Sequence, residues 1–186
     1  MTDNLIKFSA GLTDEEPFIY PNIWDIEKTT GPSRLIIGPR DDHIELMISL
    51  AGNWKGMYGI LYVLTISHDP FSEGRYQIPQ PVSFEEACGI LRKYSRFFTT
   101  DGRHHIWLAS TESASMLVYD HHNVIFAYGD LQEYSNILNN RGFVKAKVAF
   151  PSPHRHHYNK GNNLLLEQLL CEYKWKYFPL QEDDDD

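Results

Sequence analysis

Residues 105–128 read HIWLASTESASMLVYDHHNVIFAY, and this stretch decides the fold. Its β-branched and aromatic residues fall into three runs, which predict strands at 105–109, 115–120 and 124–128. The polar link 110–114 is typical of a hairpin loop, and Asn123 tolerates the positive φ that the second, tighter turn requires. The sequence therefore predicts an antiparallel meander of three strands.

The segments on either side of the meander show both helix and strand patterns. Ser83 and Glu86 form a capping box, and Asp130 with Glu133 marks another helix start. Four helices are predicted in all, at 42–52, 83–98, 130–142 and 163–173. Further strands are predicted at 34–38, 57–67 and 143–150, the last of them at an edge of the sheet.

This set of elements predicts one α+β domain over residues 1–180. We expect a mostly antiparallel sheet of about five strands, with three to four helices packed on it. Residues 1–33 lack clear periodicity and are interpreted as an N-terminal arm. The run EDDDD at 182–186 indicates an acidic, disordered tail over 181–186.

The charge of the chain restricts its partners. The formal net charge is −8, and five of the acidic residues lie in the tail. An acidic chain argues against nucleic-acid binding, which depends on the neutralisation of phosphates by Lys and Arg. It favours a protein partner of basic chemistry. The charge of the sequence does not indicate an oligomeric state.

Two further features concern the cellular compartment. No run of about 18 apolar residues occurs, so no membrane association is predicted, and the N-terminal residues show no apolar core of a secretory signal. Cys88 and Cys171 are the only cysteines, and we expect both to be reduced. These features predict a cytoplasmic protein.

Histidine is the most informative residue type, because imidazole changes charge near neutral pH and also ligates metals. Seven of the nine histidines lie between positions 104 and 157, in groups at 104–105, 121–122 and 154–157. If the last segment is extended, His154 and His156 point to the same side, roughly 7 Å apart. A third ligand from His122 or Asp120 would complete a zinc site.

None of the groups forms a complete catalytic signature. Tyr158 and Asn159 stand where a metallo-β-lactamase-type motif needs Asp and His, and the chain has no phosphate-binding glycine loop or nucleophile elbow. Asp120 beside His122 can orient a general base, although Asp and Asn also favour turns for backbone reasons alone. His68 and Asp69 resemble a phosphohydrolase pair, but Pro70 disfavours the helix that such a pair needs.

The candidate residues are therefore as follows. The catalytic candidates are Asp120, His122, His154 and His156. The metal-ligand candidates are His122, His154 and His156. The binding candidates are Tyr119, His121, Arg155, His157 and Tyr158. No cofactor is predicted as a requirement, and a divalent metal such as zinc is the alternative.

Two segments carry a resemblance to other proteins. LVYDHHNVIFAYG at 117–129 and PHRHHY at 153–158 resemble pieces of uncharacterised small bacterial cytoplasmic α+β proteins of the immunity-like or accessory type. That group has no established catalytic residues, so the resemblance implies a fold and a protein-binding role but no site.

Three hypotheses for function follow. The leading one is a non-enzymatic, immunity-like module that binds a protein. The second is a small metal-dependent or histidine-based hydrolase that uses the histidine cluster, covered by the long loop 68–82. The third is that the histidines only cap strand ends and pack one loop on another.

Overall fold

The computed structural model describes residues 5–13, 16–67 and 71–184. It is an α+β structure built on one large sheet. Within these ranges the strands are β1 (Phe8–Ala10), β2 (Ile23–Glu27), β3 (Arg34–Gly38), β4 (Tyr58–Leu64), β5 (Gly74–Gln77), β6 (His104–Ser110), β7 (Met116–Tyr119), β8 (Ile125–Tyr128), β9 (Val144–Lys145), β10 (His154–His156) and β11 (Lys176–Phe178).

Nine of these strands form the large sheet, in the order β11-β5-β4-β6-β7-β8-β3-β2-β9. Every neighbouring pair is antiparallel except β2 and β9, which are parallel. β1 and β10 pair antiparallel as a separate small sheet, in which Phe8 faces His156 and Ala10 faces His154. The predicted meander is confirmed as β6, β7 and β8, with its tight turn between Tyr119 and Ile125.

The helices are α1 (His43–Ala51), α2 (Phe84–Lys93), α3 (Ser95–Thr100), α4 (Leu131–Asn140) and α5 (Asn163–Glu172). Short 3-10 helices lie at Lys160–Asn162 and Glu182–Asp184. The capping box of Ser83 and Glu86 is confirmed, and the Asp130 side chain accepts a hydrogen bond from Glu133 N. The single helix predicted over 83–98 is two helices, because Tyr94 leaves the helical backbone conformation.

The expected count of about five strands and three to four helices was wrong. Eleven strands and five α-helices lie in the described ranges. Most of the missed strands have five residues or fewer, so their pattern is too short to recognise, and they are extended because a neighbour supplies the hydrogen bonds. Of the strand predicted at 143–150, only Val144–Lys145 pairs, since β2 offers a partner over just that length.

Both ends of the chain contain ordered elements within the described residues. The N-terminal arm contains β1 and β2, and β2 lies within the large sheet. The tail expected to be disordered includes the 3-10 helix Glu182–Asp184, where Asp184 is 4% exposed and pairs with Arg75 at 3.5 Å. The half-buried Arg75 on β5 explains this order, and a partner of that kind is not visible in a run of like charges.

The helices cover one face of the sheet. α1 contacts β7, α2 contacts β4, α3 contacts β6, and α4 contacts β8. On this face the His104 ring packs against Phe97 and Phe98, with ring centres 4.6 and 5.6 Å away. Because side chains alternate along a strand, His105 points to the opposite face. This alternation separates the two histidines that are neighbours in the sequence.

The opposite face of the sheet is covered in part by the small sheet and the N-terminal segment. Tyr20, Ile36, Val124 and Val148 form a second buried cluster there. Both cysteines are free thiols, Cys88 buried and Cys171 exposed. Among the residues described, none of the helices has the length and apolar composition needed to cross a bilayer.

A histidine-lined cleft as the candidate metal site

Three separate parts of the chain bring histidines to one end of this second face. His105 lies near the start of β6, His121 and His122 occupy the turn between β7 and β8, and His154 and His156 belong to β10. The two stretches on which the sequence-based hypothesis depends, 120–123 and 153–158, therefore meet.

The tight turn is built around Asp120. Its Oδ1 accepts hydrogen bonds from His122 N at 2.8 Å and Val124 N at 3.4 Å, and Asn123 adopts a φ of 61°. Asp120 is 2% exposed, so these bonds also satisfy a buried carboxylate. The turn chemistry thus fixes the position of His121 and His122 on the sheet.

The small sheet holds His154 and His156 opposite that turn. The extended β10 backbone places their rings on one side, with centres 5.1 Å apart. The two side chains point to the same side of the strand, as predicted, and their ring centres are closer together than the expected separation of roughly 7 Å. Phe8 of β1 is fully buried beneath them, and its ring stacks on His156 with centres 5.3 Å apart. Phe8 is therefore the apolar floor of the cluster.

Three of the imidazoles are close enough to share one ion. The ring centres of His121 and His122 are 4.2 Å apart, those of His121 and His156 are 4.2 Å apart, and those of His122 and His156 are 4.8 Å apart. One ring nitrogen from each lies within 4.8 Å of the others. His121 was predicted only as a binding residue, so its inclusion in the set of candidate ligands corrects that expectation.

The second nitrogen of each ring is already engaged. Nδ1 of His122 lies 2.9 Å from Asp120 Oδ2, and Nδ1 of His156 lies 3.3 Å from the carbonyl oxygen of His121. Nδ1 of His121 lies 2.7 Å from Nε2 of His105. Carboxylate and carbonyl oxygens accept a hydrogen bond from the Nδ1–H group, which leaves the lone pair of the neutral ring on Nε2. Metal-ligating histidines are usually held in this way.

His154 has the same arrangement at a slightly greater distance from the set. Its Nδ1 lies 2.9 Å from the carbonyl oxygen of Pro151, and its ring centre is 5.1 Å from that of His122. It lines the same cleft as the three closer histidines. The cleft has a volume of about 530 Å³, and among the described residues the rest of its lining is Thr65, Ile66 and Gly102.

Burial disfavours the charged form of three of these histidines. Desolvation lowers the pKa of His121 to about 2 and that of His156 to about 4, and it also lowers the pKa of His105. Burial alone would raise the pKa of Asp120, but its hydrogen bond with His122 and the neighbouring imidazoles lower it. The site therefore combines three buried imidazoles that resist protonation with an ionised carboxylate, which is a suitable environment for a cation.

The other predicted binding residues are not in the cleft. Tyr119 is fully buried, and its hydroxyl donates to Asn123 Oδ1 at 2.7 Å. His157 lies 2.8 Å from Ser9 Oγ through Nε2, and the Arg103 guanidinium lies over the Tyr158 ring at 4.1 Å. Arg155 is exposed and alternates with His154 and His156 along β10.

The structure leaves one prediction about the histidines untested and extends another. His68 and Asp69 lie outside the described residues. His105 was expected to form a hydrogen-bonded strand end, and the structure adds that its partner is a candidate ligand. The alternation of side chains along β6 indicates that His105 points away from the core-facing His104. The hydrogen-bond partner of His105 could not be predicted, because it depends on the register of the sheet.

The fold and the site thus define an α+β protein with a histidine-lined cleft at one end of a nine-stranded sheet. The chain matches no protein-family model, no curated protein and no solved structure.

Proposed function

We propose that this protein binds one divalent transition-metal ion of the zinc class through Nε2 of His121, His122 and His156. The observation that carries the proposal is the engagement of Nδ1 in all three rings, by an imidazole, a carboxylate and a carbonyl oxygen. A carboxylate or carbonyl oxygen can only accept, so Nδ1 of His122 and His156 donates and their Nε2 lone pairs are free. His121 reaches the same state when its Nδ1 donates to His105, and all three bonds fix the orientation of a ring.

The kind of ion follows from the ligand chemistry. Imidazole nitrogen suits Zn, Cu, Fe and Ni, whereas Mg and Ca prefer oxygen ligands. Three protein ligands match the number that zinc uses in sites with an open position. The Asp120 carboxylate supplies negative charge through its contact with His122, without being a ligand itself. Zinc is therefore the expected occupant.

The competing hypothesis is that the rings only pack strand ends. Packing explains Phe8 beneath His156 and the backbone bonds of Asp120. It gives no reason for three imidazoles from two distant segments to bring their nitrogens within 4.8 Å of one another at a cleft. A metal ion explains that convergence, because a tetrahedral zinc site needs Zn–N distances of about 2.0–2.1 Å.

The test is metal binding by protein purified without a histidine tag. The protein is stripped with a chelator, dialysed against buffered zinc and analysed for metal by mass spectrometry. We expect about one zinc per chain, falling below one tenth in His122→Ala and His156→Ala. His43→Gln is the matched control, because His43 is also buried but packs against Tyr119 outside the cluster, with the ring centres 5.1 Å apart. Wild-type protein without zinc would contradict the proposal.

The immunity-like, protein-binding role stays a prediction that rests on the acidic charge and on the resemblance of 117–129 and 153–158. A metal site is compatible with it, since a metal can stabilise a binding surface as well as act in catalysis.

A further inference from the structure

We propose that the bound ion keeps one coordination position open toward the cleft, where it activates water to hydrolyse small carboxylic esters. This inference rests on the proposed metal site and extends it from binding to activity. It assigns two roles: His121, His122 and His156 hold the ion, and His154 is the general base.

The open position follows from the ligand count and from the cleft. Three histidines have nitrogens within 4.8 Å of one another, and His154 is not part of that set. The cleft beside them has a volume of about 530 Å³, which is room for water and a small organic molecule. Zinc with three protein ligands holds water at its remaining position and lowers the pKa of that water to about 7.

His154 is placed to accept the proton of such a water molecule. Its ring centre lies 5.1 Å from those of both His122 and His156, on the same cleft. Its Nδ1 is 2.9 Å from the carbonyl oxygen of Pro151, so the proton resides on Nδ1 and Nε2 carries the lone pair. An imidazole whose far nitrogen is held in this way has the arrangement of a general base.

The lining of the cleft indicates the substrate class. Besides the histidines it consists of Thr65, Ile66 and Gly102, and within the described residues no Lys or Arg side chain lines it. Lys and Arg are the side chains that usually bind phosphate, so this lining disfavours a phosphate substrate. The Thr65 hydroxyl is already committed to the carbonyl oxygen of Arg103 at 3.0 Å. An uncharged carbonyl compound, polarised by the ion alone, fits this lining.

The reaction is an ordinary ester hydrolysis. His154 Nε2 takes one proton from the metal-held water, and the remaining hydroxide forms a bond to the ester carbonyl carbon. The bond between that carbon and the alkoxy oxygen then breaks. The leaving alkoxide takes a proton from His154, and the products are a carboxylic acid, which ionises, and an alcohol. Water is the only co-reactant.

The experiment uses the full chain loaded with cobalt(II), whose visible spectrum reports coordination, and p-nitrophenyl acetate as the substrate. We expect azide to change the cobalt spectrum and the loaded protein to hydrolyse the ester at least tenfold faster than the metal-free protein. His154→Ala should keep the stoichiometry and the cobalt spectrum but lower kcat about tenfold or more. His43→Gln should leave both readouts unchanged.

The outcomes separate the two proposals. If cobalt binds but azide leaves the spectrum unchanged, the position is closed and this inference is wrong while the metal site stands. The same holds if azide binds and the loaded and metal-free proteins hydrolyse the ester equally fast. A spectrum that changes in His154→Ala makes His154 a ligand and overturns its role as base. Failure to bind cobalt or zinc at all removes the proposed function itself.

Discussion

His105 Nε2 lies 2.7 Å from Nδ1 of His121, and both side chains are buried on the face of the sheet that carries the cleft. One of the two nitrogens must donate and the other accept, because both rings are held neutral by burial. If Nδ1 of His121 donates, its Nε2 is free to bind a metal ion. His105 is thus a positioning residue for the proposed site.

Replacing His105 tests that relationship. We expect His105→Leu to weaken zinc affinity by about 10- to 100-fold, the usual effect of losing a partner behind a ligand. His105→Gln should recover part of the loss, because its amide oxygen can accept the same hydrogen bond. Competition with a fluorescent zinc chelator measures the affinity. The control is His43→Gln, which should bind zinc as wild type does. Equal zinc affinities in wild type and His105→Leu would contradict the role of His105 as a positioning residue.

Replacing Asp120 by Asn tests the tautomer of His122. The carboxylate accepts from the ring at Oδ2 and from His122 N at Oδ1. In Asp120→Asn the amide oxygen can still accept from the backbone, but the amide nitrogen donates to Nδ1 and moves the ring proton to Nε2. We expect a folded protein that binds zinc at least tenfold more weakly, measured by calorimetry alongside the circular dichroism spectrum. An unchanged zinc affinity would show that the contact with Asp120 does not determine which nitrogen of His122 is free to bind the metal.

Lys7 predicts a pH dependence of stability. It is 1% exposed, and its Nζ donates to Phe98 O at 3.0 Å and lies 3.6 Å from the Tyr119 ring centre. Desolvation lowers its pKa from 10.5 to about 7. The unfolded chain therefore binds more protons than the folded one between about pH 7 and 10, and the free energy of unfolding rises with pH over that window.

Urea unfolding at several pH values measures this effect. Each pKa unit corresponds to about 1.4 kcal/mol, so we expect wild type to gain a few kcal/mol relative to Lys7→Met between pH 7 and pH 10. Below pH 7 both states hold the proton, and the difference should be constant. The difference between the two proteins removes the contributions of other groups. If the difference in the free energy of unfolding between wild type and Lys7→Met stays constant across this pH window, Lys7 remains charged in the folded protein.

The buried pair of Asp101 and Arg103 predicts a large loss of stability. Arg103 Nε lies 2.7 Å from Asp101 Oδ1, and the two side chains are 2% and 0% exposed. Arg103→Leu leaves the carboxylate buried without its cation, which costs about 3–5 kcal/mol. Asp101→Asn in the same chain should recover part of this loss, because the uncharged amide needs no counter-ion. Thermal unfolding of Arg103→Leu, Asp101→Asn and the double variant gives the coupling free energy between the two side chains.

The meander shows how much of the fold the sequence predicts. Its strands are rich in β-branched and aromatic residues, and the turn residues Asp120 and Asn123 indicate a tight connection. β1 and β10 have three residues each, and they are strands only because the register pairs Phe8 with His156. Short polar segments carry no periodic signal of their own, so pairing across the chain decides their structure.

The candidate site was predicted in part for the same reason. The clustering of histidines at 121–122 and 154–157 indicated which segments meet, and His122, His154 and His156 do line one cleft. The sequence could not assign the ligand role of His121 or the partner role of His105, because each depends on which face of the sheet a neighbouring residue takes. It also could not exclude Tyr119, whose burial depends on α1 covering the other face of β7.

X-ray diffraction from zinc-loaded crystals, recorded on both sides of the zinc absorption edge, locates the metal ion itself. We expect one anomalous peak at about 2.0–2.1 Å from Nε2 of each of His121, His122 and His156. A peak held by other residues, or zinc-loaded crystals with no peak in the cleft, would contradict this expectation.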